Sequence, residues 1–442
     1  MNERLIRHAA TLLTIALTAS SPARATAGVN GYLQESVGVR TGEGDVIFHR
    51  QTLNVKVEEA LTKLLLLRAE ADAWHDDPDF MNSRVRSRLR EGYARLRLRN
   101  TDLRIGRVEI AWGEAEGVII SDQVSPFDFE NFITPGFDEI RKGVDGVFSD
   151  SYFAHDIDLQ LLWISHFEPP DFPNPKSPWY PFDSRLLEPT GVSVDVQPFT
   201  KPPKTFENSE YGARLSGHSA LLDWAFGYLR SWSDIPTLHI RTTGTASVVS
   251  ASPEHDRYDL LAANVVVPTH GVLTRLDATY EHGRDLQLAP PSNFDPSDPS
   301  VAKALDDEFV GHGDIVRALV GVDTKPRVPY WTDADASFQL VHEEVFDPPA
   351  FLAIPERTDL VSVLLRASYV NETVRPRLFA IANLRGADTW IQAKVDYQPW
   401  DAWALSIELD VFEGHAFDGN DGGVYGMFDH NDMVEATVRF SF

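Results

Sequence analysis

From Met433 to Phe442 every second residue is apolar: Val434, Ala436, Val438, Phe440 and Phe442 alternate with Glu435, Thr437, Arg439 and Ser441. A helix, turning about 100° per residue, would scatter this set around its axis. A strand sends alternate side chains to opposite faces, so the segment is a strand with one greasy and one charged side. Such a strand must sit between an apolar and an aqueous medium.

The same pattern recurs along the chain. Leu67, Ala69, Ala71 and Ala73 are interleaved with Arg68, Glu70 and Asp72; Ile157, Leu159, Leu161 and Trp163 with Asp158, Gln160 and Leu162. Val272 to Tyr280, Ile391 to Tyr397 and Trp403 to Val411 repeat it. Many runs reach about nine to eleven residues, the length of a tilted membrane-spanning strand. No segment after residue 27 has the roughly 18 uninterrupted apolar residues of a spanning helix; Leu61 to Leu67 is broken by Lys63. In lipid, strands satisfy their backbone hydrogen bonds only if the sheet closes. The expected fold is therefore all-β, a transmembrane antiparallel β-barrel with long extracellular loops and both termini periplasmic. At about 26 residues per strand with its connection, it has about 16 strands, within a range of about 14 to 18.

The N-terminus fits export. Arg4 and Arg7 precede an apolar run from Ala9 to Ala19, and Ala25-Thr26-Ala27 is a small-residue cleavage site. We expect residues 1–27 to be a signal peptide and residues 28–442 the barrel. Absence of cysteine excludes a disulfide framework, and a formal charge of −26 argues against nucleic acid as a partner. The acidity suits solvated outer loops, expected at 113–150, 168–209, 283–312 and 414–431. Ten prolines between Pro169 and Pro203 rule out a long helix or ladder strand there and point to an ordered loop. Asn100-Thr101-Asp102 and Gln398-Pro399-Trp400-Asp401 read as tight turns, and Trp74, Trp163, Trp232, Trp331, Trp400 and Trp403 as interfacial girdles.

Two segments carry candidate chemistry. Arg84, Arg86, Arg88 and Arg90 share one parity and Arg95, Arg97 and Arg99 the other, with Arg104 and Arg107 beyond. Glu91-Gly92 marks the slip, where a bulge would fit. Guanidinium groups facing a wet lumen line a path for carboxylates or phosphates; equally, they pair with acids of a loop or facing wall. The second segment ends a strand in Trp112-Gly113-Glu114 and continues to Asp128. Its acids Glu114, Glu116, Asp122 and Asp128, with Glu109, would oppose the arginines if the loop folds inward. The candidate lumen set is thus Arg88, Arg90, Arg95, Arg97, Arg99, Arg107, Glu109, Glu114 and Glu116. Neutralising Arg95 and Arg97 would then move ion selectivity toward cations.

Gly106-Arg107 with Trp112-Gly113-Glu114 and Ser125-Pro126-Phe127-Asp128, Trp224 to Trp232 followed by Asp234-Ile235-Pro236, and the ending Gly426-Met427-Phe428, Asn431-Asp432 and Val434 to Phe442 together resemble an uncharacterised proteobacterial family of outer-membrane β-barrels, distantly similar to the alginate-export porins. The resemblance implies the Gram-negative outer membrane and a transport or envelope role, with no catalytic residues to carry over. The assembly machinery of such barrels reads an aromatic-ended last strand, so Val438, Phe440 and Phe442 form the candidate assembly signal.

Other motifs are weak. The tip Phe417-Asp418-Gly419-Asn420-Asp421-Gly422-Gly423 lacks EF-hand spacing. No metal-ligand histidine motif appears among the 14 histidines, and Ser216-Gly217-His218-Ser219 lacks an oriented third group for hydrolysis. No metal, cofactor or enzymatic activity is expected. The expected function is a porin-like channel or exporter for small or anionic solutes, with outer-membrane lipid and the barrel-assembly machinery as partners. The alternative is a loop-closed barrel serving as envelope partner of an efflux or lipid-export system.

Overall fold

The computed structural model describes residues 28–76, 85–113, 115, 117–134, 136–153, 156–174, 176–181, 193–198, 200–242, 248–289, 297–327, 333–415 and 422–442. Eighteen antiparallel strands form one closed sheet. The first six are β1 Gly28–Arg40, β2 Val46–Ala60, β3 Leu65–Asp76, β4 Arg86–Arg97, β5 Thr101–Val108 and β6 Val144–Phe153. Next come β7 Ile157–Ile164, β8 Glu210–His218, β9 Asp223–Trp232, β10 Arg257–Thr269, β11 Val272–Gln287 and β12 Val310–Thr324. The last are β13 Asp335–Phe346, β14 Arg357–Arg366, β15 Val374–Asn383, β16 Asp388–Trp400, β17 Trp403–Glu413 and β18 Met433–Ser441. Closure is made by β1 on β18, in register from Tyr32↔Ser441 to Arg40↔Met433. The Oγ atoms of Ser36 and Thr437 lie 2.7 Å apart across this seam.

The count lies at the top of the expected range because most connections at one end are very short: 61–64, 98–100, 154–156, 219–222, 270–271 and 401–402. At 270–271 both His270 (φ 50) and Gly271 (φ 84) adopt positive φ, the two-residue hairpin turn whose twist matches the strands. The first of the two expected tight turns falls at 98–100 with Thr101 and Asp102 already in strand, two residues earlier than expected.

Alternation sorts the residues as the sequence demands. On β17, Leu405, Ile407 and Leu409 are exposed on the outer wall while Ser406, Glu408 and Asp410 point inward. The outer face suits lipid and the inner face water. Glu35, which departs from this on the outer wall of β1, lies 2.9 Å from His49 of β2, a partner that lowers the cost of a charge there.

The opposite end carries the long connections 109–143, 165–209, 233–256, 288–309 and 414–432. Three expectations are corrected. The loop placed at 113–150 ends sooner, because Val144–Phe153 is strand β6. The loop placed at 283–312 is narrower, because β11 and β12 reach into it. The connection 233–256 was not anticipated; it holds strands Thr237–Thr242 and Val248–Glu254, which join Ser193–Val196 in a small three-stranded sheet. The described residues of the Pro-rich stretch lie in the 165–209 connection, and Trp179 from it is buried. Trp331 falls outside the described residues.

Candidate functional site

The two largest hydrophobic clusters among the described residues, with a smaller third, lie inside the barrel around the 109–143 connection. Its first part packs Val108, Ile110, Trp112 and Val124 against Val144, Phe148, Leu162, Ile164, Leu229, Tyr258 and Leu260 of β6, β7, β9 and β10. Trp112 fits because β8 and β9 offer glycine: a Cβ at Gly212 or Gly227 would lie 3.1 or 3.0 Å from its ring. The indole Nε1 donates to Gln160 Oε1 at 2.7 Å.

The middle of the connection sets Ile120 on Leu319 and Val341 of β12 and β13. It is pinned by polar contacts: Ser121 Oγ donates to Asp277 Oδ2 at 2.8 Å, and Gln123 Nε2 to Glu281 Oε1 at 2.8 Å. Tyr258 donates its hydroxyl to Gln123 Oε1 at 2.8 Å. Within the loop, the backbone amide of Trp112 donates to Asp122, which also pairs with Arg141. Burial pushes the Asp122 carboxyl above the ordinary carboxylate range, with Arg141 pulling it down.

The last part carries Phe127, Phe132 and Ile140 into a cluster with Phe379, Ile381, Trp390, Phe412 and Met433 of β15 to β18, joined by Trp179, Tyr425 and Phe428 from two other loops. Three apolar seats on different walls therefore carry the connection through the lumen.

Against β2 to β4 the contact is ionic instead. Arg86 donates to Glu130 at 2.7 Å, Arg88 to Asp128 at 2.8 Å and Arg90 to Glu109 at 3.0 Å. Arg50, Arg86 and Arg88 surround the ring of Trp74, their guanidinium carbons 5.8, 5.0 and 5.5 Å from its centroid. Trp74 thus faces inward and is no girdle residue: on β3 it shares the parity of Asp72 and Asp76, and the cations above its π face hold it there. Between this wall and the loop lies a cavity of about 290 Å³, whose lining includes Arg88, Arg90, Asp128, Glu139, Lys394 and Arg439.

The expected site residues divide. Arg88, Arg90 and Glu109 meet at this wall. The register slip lies opposite Arg90, between Glu70 and Ala71 of the partner strand, so Arg90 and Glu91 are neighbours on the lumen side of a bulge. Arg95 pairs in register with Arg104, nearer the short-turn end. Arg97 is largely exposed beside Asp102 at 3.5 Å, and Arg99 lies in the 98–100 turn. Arg107 shares the parity of Ile105, which is 53% exposed on the outer wall, and bonds Asp145 at 2.9 Å. It therefore sits apart from the lumen arginines. Glu114 and Glu116, like Arg84, fall outside the described residues. Val438 faces outward, Phe440 packs on Trp403 with centroids 5.0 Å apart, and Phe442 exchanges two 3.0 Å backbone bonds with Gly31.

Sequence reasoning missed Arg50, Lys394 and Arg439 as lining residues. Their signal was the polar parity of β2, β16 and β18, which the arginine-rich run overshadowed. Ser219, beside His218, has its hydroxyl engaged with Leu222 O at 2.7 Å in a turn.

Comparison with known proteins bears on this architecture. The fold is similar to that of the Acinetobacter baumannii protein OccAB2 (TM-score 0.54, 11% identity, covering 94% of this chain and 98% of that one). It is also similar to the outer membrane protein opdK from Pseudomonas aeruginosa (TM-score 0.53, 9% identity, 94% and 98% covered). A third likeness is to Acinetobacter baumannii OccAB1 (TM-score 0.51, 9% identity, 96% and 98% covered). At such identities the likeness speaks for the fold alone, a closed antiparallel β-barrel like those of these outer-membrane proteins. No curated protein matches. The family model described as "Protein of unknown function (DUF1302)" matches residues 68–442, and with most of its length covered the chain belongs to that family.

Proposed function

We propose that the barrel is a narrow outer-membrane channel for small solutes bearing a carboxylate or phosphate. The observation that carries this reading is the cavity beside the loop, where Arg88, Arg90 and Arg439 face Asp128 and Glu139. Cations fixed on the wall and acids on the loop set a field across the path. Forked guanidinium groups there can exchange a loop carboxylate for one carried by a solute.

The test is a planar bilayer under a salt gradient. Arg88→Gln with Arg90→Gln leaves Asp72, Asp128 and Glu109 without their cations, so the reversal potential is expected to move toward that of a cation-selective pore. An unchanged reversal potential would reject the assignment.

The seating of the loop on several walls supports a second reading, a barrel closed by its own loops that serves as an envelope partner. Liposome swelling separates the two. Swelling with small sugars or organic acids favours the channel, and neither swelling nor conductance favours the partner role.

A further inference from the structure

At the long-loop end, away from the lumen cavity, side chains from three separate elements converge. His239 comes from the hairpin strand Thr237–Thr242, Asp256 from the segment just before β10, and Asp285 from β11. One potential ligand atom from each lies within 4.8 Å of the others. His312 of β12 is bonded through Nδ1 to Asp285.

The surroundings resemble the outer layer of a metal centre. His239 Nδ1 lies 2.8 Å from Glu308 Oε2, which fixes the ring and leaves Nε2 as the inward atom. That Nε2 is buried without a hydrogen-bond partner; Asp256 Oδ2 is 3.8 Å away. Glu308 is held by Arg241 at 2.7 Å, and Asp256 accepts from Thr237 Oγ1 at 2.8 Å. Among the described residues neither Asp256 nor Asp285 has a lysine or arginine in ion-pair contact, so imidazoles are the only cationic partners of these two adjoining carboxylates. The hairpin is brought here by its own packing, with Ile240 against Leu288, Ala304 and Phe309, and the Ile240 amide donates to Glu308 O at 2.8 Å.

We propose that His239 Nε2, Asp256 and Asp285 bind a divalent transition-metal ion, with His312, bonded to Asp285, beside them. Imidazole with carboxylate ligands suits zinc-like ions rather than calcium, which takes oxygen ligands throughout. Bonds of about 2.1 Å would draw the ligand atoms to roughly 3.5 Å apart, a contraction that side-chain rotation supplies. The two carboxylates would balance the ion's charge. Bound there, the ion fastens the loop hairpin to β10 and β11 at the outer mouth.

The probe is Zn²⁺ itself, titrated into the full-length detergent-solubilised protein by calorimetry. One saturable site per chain is expected, lost in Asp256→Asn/Asp285→Asn and in His239→Ala. Glu308→Ala, which removes the partner of His239 Nδ1 and of Arg241 but none of the proposed ligands, is expected to weaken binding at least about tenfold. Circular dichroism identifies any variant that fails to fold, and the hairpin position of His239 leaves the barrel strands intact. Zn²⁺ should also slow proteolysis within 233–256 in the wild type and not in His239→Ala. Absence of saturable binding, uptake unchanged in His239→Ala, or Ca²⁺ binding as tightly as Zn²⁺ would overturn the proposal.

Discussion

Replacing residues 117–134 with a short glycine-serine link is expected to raise single-channel conductance severalfold. These residues carry the Ile120 seat, the Ser121 and Gln123 anchors and the Phe127 and Phe132 rings, all of which occupy the lumen. The barrel should survive, since β5 and β6 stay paired from Thr101↔Ser151 to Val108↔Val144 and the outer apolar face is untouched. The loss would expose Leu319, Val341, Phe379 and Trp390 to water in the pore, so lower thermal stability should accompany the wider path. Planar-bilayer recordings of the excised and intact proteins decide it. Equal conductance would mean that the constriction lies elsewhere.

The second large effect is expected from Phe132→Ala. The ring lies 4.6 Å from Phe428, 5.9 Å from Phe412 and 6.0 Å from Trp179 between centroids. Removing a buried phenylalanine costs about 3–5 kcal/mol. Here that loss falls on the docking of three loops, while the hydrogen-bonded wall keeps its own ladder. Phe132 also has φ 55, so the alanine variant inherits a backbone conformation that favours glycine. The expected signature is faster proteolysis within 109–143 and a noisier open-channel current, with the strand content unchanged by circular dichroism. Unaltered protease resistance would show that the aromatic cluster does not hold the loop.

The strands were legible because lipid outside and water inside impose a period of two, and a charge on the wrong parity is penalised at every position. The arginine run announced a lumen wall, and the slip near Glu91 was visible because seven arginines changed parity across it. What escaped depended on contacts between distant residues. Trp74 reads as a girdle residue until three arginines from two other strands are seen around it. Arg107 reads as part of the ladder, yet across the Gly92↔Arg107 pairing it joins the outer parity. The cluster of His239, Asp256, Asp285 and His312 has no spacing signature, because each residue comes from a different element. The inward course of the 109–143 connection was suggested by its acids, whereas its apolar seats Ile120 and Phe132 look ordinary in a loop.

An enclosed path exists only if the sheet closes on itself between its first and last strands. The chain contains no cysteine, so Ser36→Cys with Thr437→Cys introduces a single pair at register partners of β1 and β18, a separation that suits a disulfide. Closure predicts that this pair oxidises nearly completely in the folded protein, and that the unfolded product migrates as a loop joining residues 36 and 437 until reduced. If the pair stays reduced while a control pair across β1 and β2, Gln34→Cys with Thr52→Cys, becomes bridged, the sheet is open and the enclosed path does not exist.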